Sequence, residues 1–172
     1  MIRLPLKRKW KMGESILVAG ICSTVTKKID NTITVFHMPE TLARTTSAQW
    51  EKGSPVNIES SLRVGEDISG HVVSGHVDGI ARVSRITEEG DCKRIVFSLS
   101  KDFVKYMIPK GSVAVDGVSL TVVDAGTTSF SVALIPYTLS HTTLGTLKKN
   151  DPVNIEVDQV AKYIEKYVRG NR

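Results

Sequence analysis

The sequence predicts an all-β protein made of two related modules, followed by a short C-terminal α-helix. Three observations predict this fold class: an internal repeat at a constant spacing of 97 residues, short apolar runs with the alternation of strands, and a final segment with helical spacing. At 172 residues, 41% of them hydrophobic, the chain is long enough for one domain or two small ones.

The repeat emerges when residues 20–59 are laid over residues 117–156. No gap is needed, and more than a third of the paired positions are identical. Unrelated segments of ordinary composition would share only about two or three residues over this length. The matched segments are GICSTV with GVSLTV, MPETLARTT with IPYTLSHTT, and PVNIE with PVNIE. The two halves are therefore copies of one module.

Within each copy, β-rich runs alternate with turn residues. In the second copy the runs at 113–115, 120–123 and 130–134 are broken by Gly, Asp and Ser, which is typical of a barrel or sandwich. The segments after Pro39 and Pro136 predict single helical turns, because proline suits the first turn of a helix and the runs are too short to continue. Such a turn could plug the end of a barrel.

The last segment, residues 158–172, predicts a helix. Asp158 suits the N-cap position, and apolar residues recur behind it at helical spacing, namely Val160, Ala161, Ile164 and Val168. This apolar stripe either packs on the barrel of its own chain or contacts another subunit. The sequence leaves both interpretations open.

The first copy is shorter at its start than the second. Strand-like segments at 76–86 and 93–100 precede Lys110–Gly111 in the second copy, whereas the first copy reaches the matching Met12–Gly13 almost at once. By typical strand length, about two strands are missing. Since an incomplete barrel exposes an unpaired edge, we expect a longer reading frame in which the first barrel is complete.

Composition argues against several classes of protein. No window of 18 uncharged apolar residues occurs, and the basic start is not followed by an apolar stretch. Neither a membrane span nor a signal peptide is therefore expected, and a cytoplasmic location is predicted. Cys22 and Cys92 lie far apart without metal-ligand spacing, so we expect no metal site and no disulfide framework.

The formal net charge of +5 does not indicate nucleic-acid binding. A phosphate-tracking surface is basic across a folded face and interleaved with aromatic residues, but only 6% of this chain is aromatic. Five of the 23 basic residues lie among the first eleven positions, and the other 18 are balanced by 18 acidic residues. We expect no nucleic-acid partner. The five early basic residues are Arg3, Lys7, Arg8, Lys9 and Lys11.

The segment SGHVVSGHVDG at 69–79, together with GICSTV, MPETLARTT, GSVAVDGVSLTVV, IPYTLSHTTLG and PVNIEVD, resembles the riboflavin synthase family. The likeness runs from about Leu4 to Val168, and six motifs in order are specific although each alone is weak. It implies two homologous six-stranded Greek-key barrels, at 1–70 and 71–157, with a helix at 158–172 that helps to form a homotrimer. The family normally opens with Met-Phe-Thr-Gly, a segment of the first pocket that has no match here.

The resemblance also implies a reaction. Two molecules of 6,7-dimethyl-8-ribityllumazine undergo a cofactor-independent dismutation to riboflavin and 5-amino-6-(D-ribitylamino)uracil, the last step of riboflavin biosynthesis. Two similar pockets suit a reaction that holds two like molecules in different roles, and in the family the first barrel of one subunit faces the second barrel of its neighbour. Lumazine synthase is a candidate partner.

Two alternatives stay open beside the enzyme. One is a non-catalytic lumazine or flavin carrier of the same fold, which the complete second copy would suffice to make. The other is a remnant that binds no ligand.

Carried over position by position, the resemblance implies two sets of pocket residues. The first pocket would be lined by Cys22, Ser23, Thr24, Phe36, His37, Met38, Pro39, Glu40 and Thr41. The second would be lined by Gly75, His76, Val77, Lys110, Ser119, Leu120, Thr121, Ala133, Leu134, Ile135, Pro136, Tyr137 and Thr138. Backbone groups and hydroxyls in such runs can bind the polar edge of a pteridine.

Three residues are candidates for the chemistry. His76 is favoured for proton transfer because an unperturbed histidine titrates near neutrality, and His71 is the alternative, expected mainly to form hydrogen bonds at the domain junction. Cys22 is expected to line the pocket or to assist addition at C7 of the donor lumazine, although Ser119 replaces it in the second copy. Ser15 matches a serine that the family places near the reacting ligand, and turn capping is its alternative role.

Overall fold

A computed structural model describes residues 2–3 and 10–170, and within them it contains eleven strands and four α-helices. The strands are β1 (Ile2–Arg3), β2 (Ser15–Val18), β3 (Ile21–Ile29), β4 (Thr32–Val35), β5 (Ile58–Ser60), β6 (Gly79–Glu89), β7 (Cys92–Ser98), β8 (Ser112–Val115), β9 (Val118–Ala125), β10 (Ser129–Leu134) and β11 (Pro152–Val157). The α-helices are α1 (Pro39–Arg44), α2 (Lys101–Val104), α3 (Pro136–His141) and α4 (Gln159–Gly170). Leu4, Lys7, Arg8 and Lys9 lie outside the described residues.

The second copy forms a closed antiparallel barrel of six strands, in the order β10-β7-β6-β11-β8-β9. Its interior is filled by apolar side chains that the strands direct inward, and Phe97 and Phe130 stack there with ring centroids 5.2 Å apart. Leu144, in a 3-10 turn after α3, is buried in the same core. The prediction of a six-stranded barrel is confirmed for this copy.

The first copy differs, because its described residues form a five-stranded sheet in the order β1-β4-β3-β2-β5. The strand register matches the second copy: Ser15 pairs with Thr24 as Ser112 pairs with Thr121. However, β5 pairs only with β2, whereas the equivalent β11 pairs with both β8 and β6. Within the described part of the chain, the first copy is thus an open sheet instead of a closed barrel.

Strand β1 reduces the number of strands that the first copy lacks relative to the second. It pairs with β4 as β7 pairs with β10 in the second copy, so a two-residue strand stands where the second copy has β7. Of the two strands expected to be missing, one therefore has a short counterpart among the described residues. The core of this module is small, and it consists of Trp10, Ile16, Val18, Val25 and Ile33.

The two copies meet at the equivalent turns that contain Gly20 and Gly117. Both glycines have positive φ, at +75° and +82°. A Cβ atom on Gly20 would lie 2.5 Å from the backbone nitrogen of Gly117, and one on Gly117 would lie 2.8 Å from that of Gly20. Only glycine permits this approach of the two backbones, which explains why the repeat has glycine at both positions.

Helix α4 begins as predicted, because the carboxylate of Asp158 accepts a hydrogen bond from the backbone N–H of Val160 at 2.9 Å. Ion pairs of 2.7 Å between Lys162 and Asp78, and of 2.8 Å between Lys105 and Glu165, hold the helix on the second barrel. The apolar stripe faces away from that barrel, since Val160, Ile164 and Val168 are all more than half exposed. These three side chains therefore do not pack on that barrel, whereas Ala161 of the same stripe is half-buried. No helix of the described residues has the length and apolarity to cross a bilayer.

Candidate functional site

A cleft of about 270 Å³ lies on the first module, against the segment that joins the two modules. Its walls come from strand β3, from helix α1 and from the joining segment. The lining residues are Ile21, Cys22, Glu40, Thr41, Arg44, Thr45, Gly75, His76 and Val77. They combine a thiol, an imidazole, hydroxyls and an ion pair, so the cleft can bind a partly polar small molecule.

Local chain chemistry orients the side chains of β3 and α1. The alternation of β3 buries Ile21 and Ser23 and leaves Cys22 exposed between them. Pro39 starts α1, which places Thr41 at the cleft. The hydroxyl of Thr45 donates to the carbonyl of Thr41 at 2.7 Å and so ends this helix with a defined geometry.

The joining segment is drawn tightly against β3. The backbone N–H of Cys22 donates to the carbonyl of Gly75 at 2.8 Å. Gly75 has φ +82°, and a Cβ atom there would lie 2.6 Å from the Cys22 nitrogen. Any larger residue would push the segment off the strand, so this glycine is required for the wall of the cleft.

Glu156 of strand β11 anchors the same segment from the second module. Its buried carboxylate accepts hydrogen bonds from the backbone N–H of Ser74 at 2.7 Å, from the Ser74 hydroxyl at 2.6 Å and from the backbone N–H of Gly75 at 2.8 Å. A residue of the second module therefore holds in place one wall of the cleft on the first module.

This arrangement corrects the predicted grouping of the pocket residues. From the sequence, Gly75, His76 and Val77 are expected in the second pocket, together with Lys110. The structure places all three in the cleft of the first module, beside Cys22. The reason is that the joining segment crosses the first module before it enters β6.

A related contact covers the equivalent place in the second module. Ser119, which corresponds to Cys22, lies 2.7 Å from His71 between Oγ and Nδ1, and a Cβ atom on Gly70 would meet the Ser119 hydroxyl at 2.5 Å. The two Ser-Gly-His segments, at 69–71 and 74–76, thus lie over equivalent strand positions. Burial lowers the pKa of His71, although Asp158 and Glu156 oppose the shift.

His71 also carries a buried atom without a hydrogen-bond partner among the described residues, Nε2. The expectation that this histidine forms a hydrogen bond at the domain junction agrees with its bond to Ser119. The structure separates it from His76, which lines the cleft of the first module.

A polar pair lies in the first module, where Ser23 Oγ is 2.9 Å from His37 Nε2. Ser23 is buried, and burial lowers the pKa of His37 below its ordinary value of 6.5. The second module has Leu120 and Leu134 at these positions. The first module thus carries a hydrogen bond where the second has two leucines of its apolar core.

The other predicted pocket residues fall into three groups. Leu134 and Ser23 are buried in the structure, so their side chains do not reach the cleft surface. In the first module the exposed ones are Ser15, Thr24, Phe36, Met38 and Pro39, and none of them lines the cleft. The carbonyl of Ser15 accepts a hydrogen bond from the Ser61 hydroxyl. In the second module the exposed ones are Lys110, Thr121, Ala133, Ile135, Pro136 and Tyr137, whereas Leu120 and Thr138 are half-buried.

Sequence reasoning missed Ile21, Arg44, Thr45 and Glu156. Arg44 lies one helical turn after Glu40 and pairs with it, a spacing that the printed sequence already shows. Glu156 ends the PVNIE motif shared by both copies, yet its counterpart Glu59 is exposed. Its role depends on a contact 81 residues away and has no local signal.

The described residues contain no cluster of three metal-binding side chains. Cys22 and Cys92 are both free thiols.

Comparison with known proteins identifies the family. A family model described as "Lumazine binding domain" matches residues 2–61 and 74–158. Curated relatives named riboflavin synthase include those of Actinobacillus pleuropneumoniae, 41% identical over 91% of this chain and 73% of the relative, and of Bacillus subtilis (strain 168), 39% identical over 91% and 73%. The relative from Schizosaccharomyces pombe is 38% identical over 92% of this chain and 77% of the relative.

Solved structures agree with this assignment. A structure of LumP with 6,7-dimethyl-8-(1'-D-ribityl) lumazine has a TM-score of 0.77 and 26% identity, and covers 86% of this chain and 79% of LumP. LumP with riboflavin has a TM-score of 0.78 and 28% identity over 86% and 80%. The doubled module and the relatives at about 40% identity together assign the chain to the lumazine-binding family of the riboflavin synthases.

Proposed function

We propose that this chain catalyses the riboflavin synthase reaction, the dismutation of two 6,7-dimethyl-8-ribityllumazine molecules. One molecule gives up a four-carbon unit to the other, which yields riboflavin and 5-amino-6-(D-ribitylamino)uracil. The observation that carries the proposal is the duplicated module, with equivalent strand positions each covered by its own Ser-Gly-His segment. Riboflavin synthases about 40% identical over most of the chain support the same conclusion.

The reaction makes few chemical demands on the protein. The atoms of two lumazines equal those of the two products, so no external oxidant or reductant enters the balance. The protein must hold two planar ligands face to face, and it must move protons. Proximity and orientation of bound reactants supply a large part of the rate enhancement in such reactions.

His76 and Cys22 are the proposed reactive groups of the first cleft. Both line it, and neither is buried, so both are accessible to a bound ligand. An imidazole can accept and return a proton near neutral pH, and a thiolate can add to an electrophilic ring carbon. Ser15, at the start of β2, is proposed as an additional hydroxyl near the reacting ligand.

The proposed assembly is a homotrimer in which the first module of one subunit faces the second module of its neighbour. Helix α4 supports this assembly, because its ion pairs fix it to the second barrel and leave Val160, Ile164, Tyr167 and Val168 more than half exposed. Such a stripe is a common subunit contact. Association with lumazine synthase stays a prediction.

The test is riboflavin formation from 6,7-dimethyl-8-ribityllumazine by the purified chain, followed by riboflavin fluorescence. We expect product from the unmodified chain, and a loss of about 10²–10⁴-fold in rate for His76→Ala if it transfers the proton. Lys149→Ala is the control, an exposed residue that does not line the cleft. Absence of product in the unmodified chain would contradict the proposal.

A carrier of lumazine or flavin is the second candidate. The similarity to LumP structures that hold 6,7-dimethyl-8-(1'-D-ribityl) lumazine, riboflavin and flavin mononucleotide favours it. Calorimetric binding of lumazine without turnover would identify the chain as such a carrier.

A further inference from the structure

Two residues of the joining segment that line the first cleft, His76 and Val77, lie between two anchor points on the second module. The first anchor precedes them, where the carboxylate of Glu156 accepts hydrogen bonds from the backbone of Ser74–Gly75. The second anchor follows them, at Asp78. The position of the His76 imidazole in the cleft therefore depends on both anchors.

Asp78 forms the second anchor through its backbone and through both carboxylate oxygens. Its backbone N–H donates to the carbonyl of Ile155 at 2.8 Å. Its Oδ2 atom accepts from the backbone N–H of Val157 at 2.9 Å, and its Oδ1 atom lies 2.7 Å from Nζ of Lys162. The Asp78 side chain is only 17% exposed, so it depends on these partners to offset its lost hydration.

The two anchors make the same kind of contact in opposite directions. Glu156 of strand β11 offers its carboxylate to the backbone of the joining segment, and Asp78 of the joining segment offers its carboxylate to the backbone of β11. Hydrogen bonds from a backbone N–H to a carboxylate are charge-assisted and stronger than neutral ones. The second anchor differs from the first because it includes a residue of helix α4, Lys162.

Lys162 keeps the Asp78 carboxylate in the orientation that receives the N–H group of Val157. Without the ammonium group, the carboxylate would turn toward water to recover a partner for its Oδ1 atom, which would weaken the bond to Val157. The chain at His76 would then be held firmly at one end only. A reactive group that is held loosely loses rate, because it is less often in productive geometry.

We propose that Asp78 and Lys162 are positioning residues for His76: through the second anchor, helix α4 fixes the imidazole in the first cleft in the geometry for proton transfer. Neither Asp78 nor Lys162 lines the cleft, so both act on a bound ligand through His76 and not by contact. The transfer of a proton by His76 belongs to the proposed function, and this positioning role rests on it.

Lys162→Met tests the positioning role on the full chain, because it removes the ammonium group and keeps most of the aliphatic side chain. We expect kcat for riboflavin formation to fall about tenfold. KM should stay within about twofold, since Lys162 makes no contact with the cleft. Lys162→Arg can still pair with Asp78 and should restore most of the rate.

Glu165→Gln is the matched control, because it removes the other ion pair of α4, which joins the helix to Lys105 at the end of α2. It should keep the kcat of the unmodified chain. Thermal unfolding and light scattering show that both variants are folded and assembled alike. A loss of kcat in Glu165→Gln as large as in Lys162→Met would show a general effect of α4 and would overturn the proposal.

Two further measurements separate a positioning role from a structural one. The imidazole NMR signal of His76, assigned by its absence in His76→Ala, should shift in Lys162→Met and stay in place in Glu165→Gln. In addition, Lys162→Met should lower the residual rate of His76→Ala by less than about twofold, because two residues that act through one group are not additive.

An unshifted His76 signal in Lys162→Met would overturn the positioning role, and so would a loss of rate that is equally large in the His76→Ala background. A folded, unmodified chain that forms no riboflavin would instead overturn the proposed function. The NMR comparison needs no turnover, so the two failures are distinguishable.

Discussion

Asn57 and Asn154 occupy equivalent positions in the two copies, and each side chain hydrogen-bonds the other copy. Each amide donates to a turn carbonyl and accepts from the backbone N–H of a 3-10 turn in the opposite module, so the junction has an internal pseudo-two-fold symmetry. The distances are 2.9 Å from Asn154 Nδ2 to Ala19 O, 2.8 Å from Thr46 N to Asn154 Oδ1, 3.0 Å from Asn57 Nδ2 to Asp116 O, and 2.8 Å from Thr143 N to Asn57 Oδ1.

Replacement of either asparagine should weaken the junction. Asn154→Ala and Asn57→Ala each leave two backbone groups without their partner, which costs about 1–3 kcal/mol in the free energy of unfolding. The larger loss is expected for Asn154, because it is 1% exposed whereas Asn57 is half-buried. Urea unfolding measures both, with the exposed Asn31→Ala as control. Equal, small losses in all three variants would refute a role for the pair.

The contact between Gly20 and Gly117 gives a second prediction. Gly20→Ala and Gly13→Ala share the strain of positive φ. A Cβ atom on Gly13 would have no atom within 4 Å, whereas a Cβ atom on Gly20 would lie 2.5 Å from the Gly117 backbone. We therefore expect Gly20→Ala to be more destabilising than Gly13→Ala by about 1–3 kcal/mol, the usual cost of overpacking. Thermal unfolding of the two variants is the measurement, and matching midpoints would contradict the close approach.

Glu156 should control the shape of the cleft on the other module. Glu156→Gln replaces one accepting oxygen by an NH₂ group that cannot accept from Ser74 or Gly75, so a loss of about 1–3 kcal/mol in stability is expected. Ligand affinity in the first cleft should fall as well, because the wall around Gly75 is released.

The matched control for this variant is Glu59→Gln at the equivalent position of the first copy, where the side chain is exposed. It should leave stability and lumazine binding unchanged. If both variants behave alike, the carboxylate of Glu156 does not hold the joining segment.

Asp116 makes stability depend on pH. Burial raises the pKa of its carboxyl group from the ordinary 3.8 to about 7, although the backbone N–H of Asn154 opposes the shift. Because the pKa is raised, the folded state keeps this proton to a higher pH than the unfolded chain does. The contribution of Asp116 to stability therefore falls as pH rises from about 4 to about 7, and it stays low above pH 7.

Asp116→Asn removes this charge and keeps an acceptor for Asn154, and asparagine tolerates the positive φ of 46°. At pH 8 we expect the variant to be more stable by about 1–4 kcal/mol, with the gain vanishing near pH 4. Chemical unfolding at several pH values checks it. Asp30→Asn, an exposed residue at φ 47°, is the control, and a gain that does not depend on pH would contradict the assignment.

The Ser23–His37 pair makes stability fall at acid pH through the first module. Because burial lowers the pKa of His37 below 6.5, the unfolded chain takes up the proton first, and stability falls as pH decreases below about 6.5. Ser23→Leu with His37→Leu installs the pair of the second module and should stay within about 1 kcal/mol of the unmodified chain at pH 8.

Between pH 6.5 and 5, the double variant should lose less stability than the unmodified chain, as followed by thermal unfolding. Burial also lowers the pKa of His71, which is still present in the variant and also lowers stability at acid pH. The dependence of stability on pH is therefore reduced and not abolished. An unchanged slope would show that His37 does not titrate with folding.

Local chemistry explains which features could be predicted from the sequence. Proline at the first position of α1 and α3, and the carboxylate of Asp158 before α4, act within a few residues of chain. The repeat spacing identified two related modules, and the alternation of the strands identified the barrel core of the second. These features depend on contacts between near neighbours or on a pattern repeated along a strand.

By itself, then, the sequence determined the duplicated β module, the terminal helix and most residue types of the site. Tertiary structure alone decided that Gly75–Val77 joins Cys22 and that Glu156 holds that segment. The physical reason is that these contacts depend on how two modules and their joining segment pack across about 50 to 80 residues of chain. No local propensity or spacing encodes that arrangement.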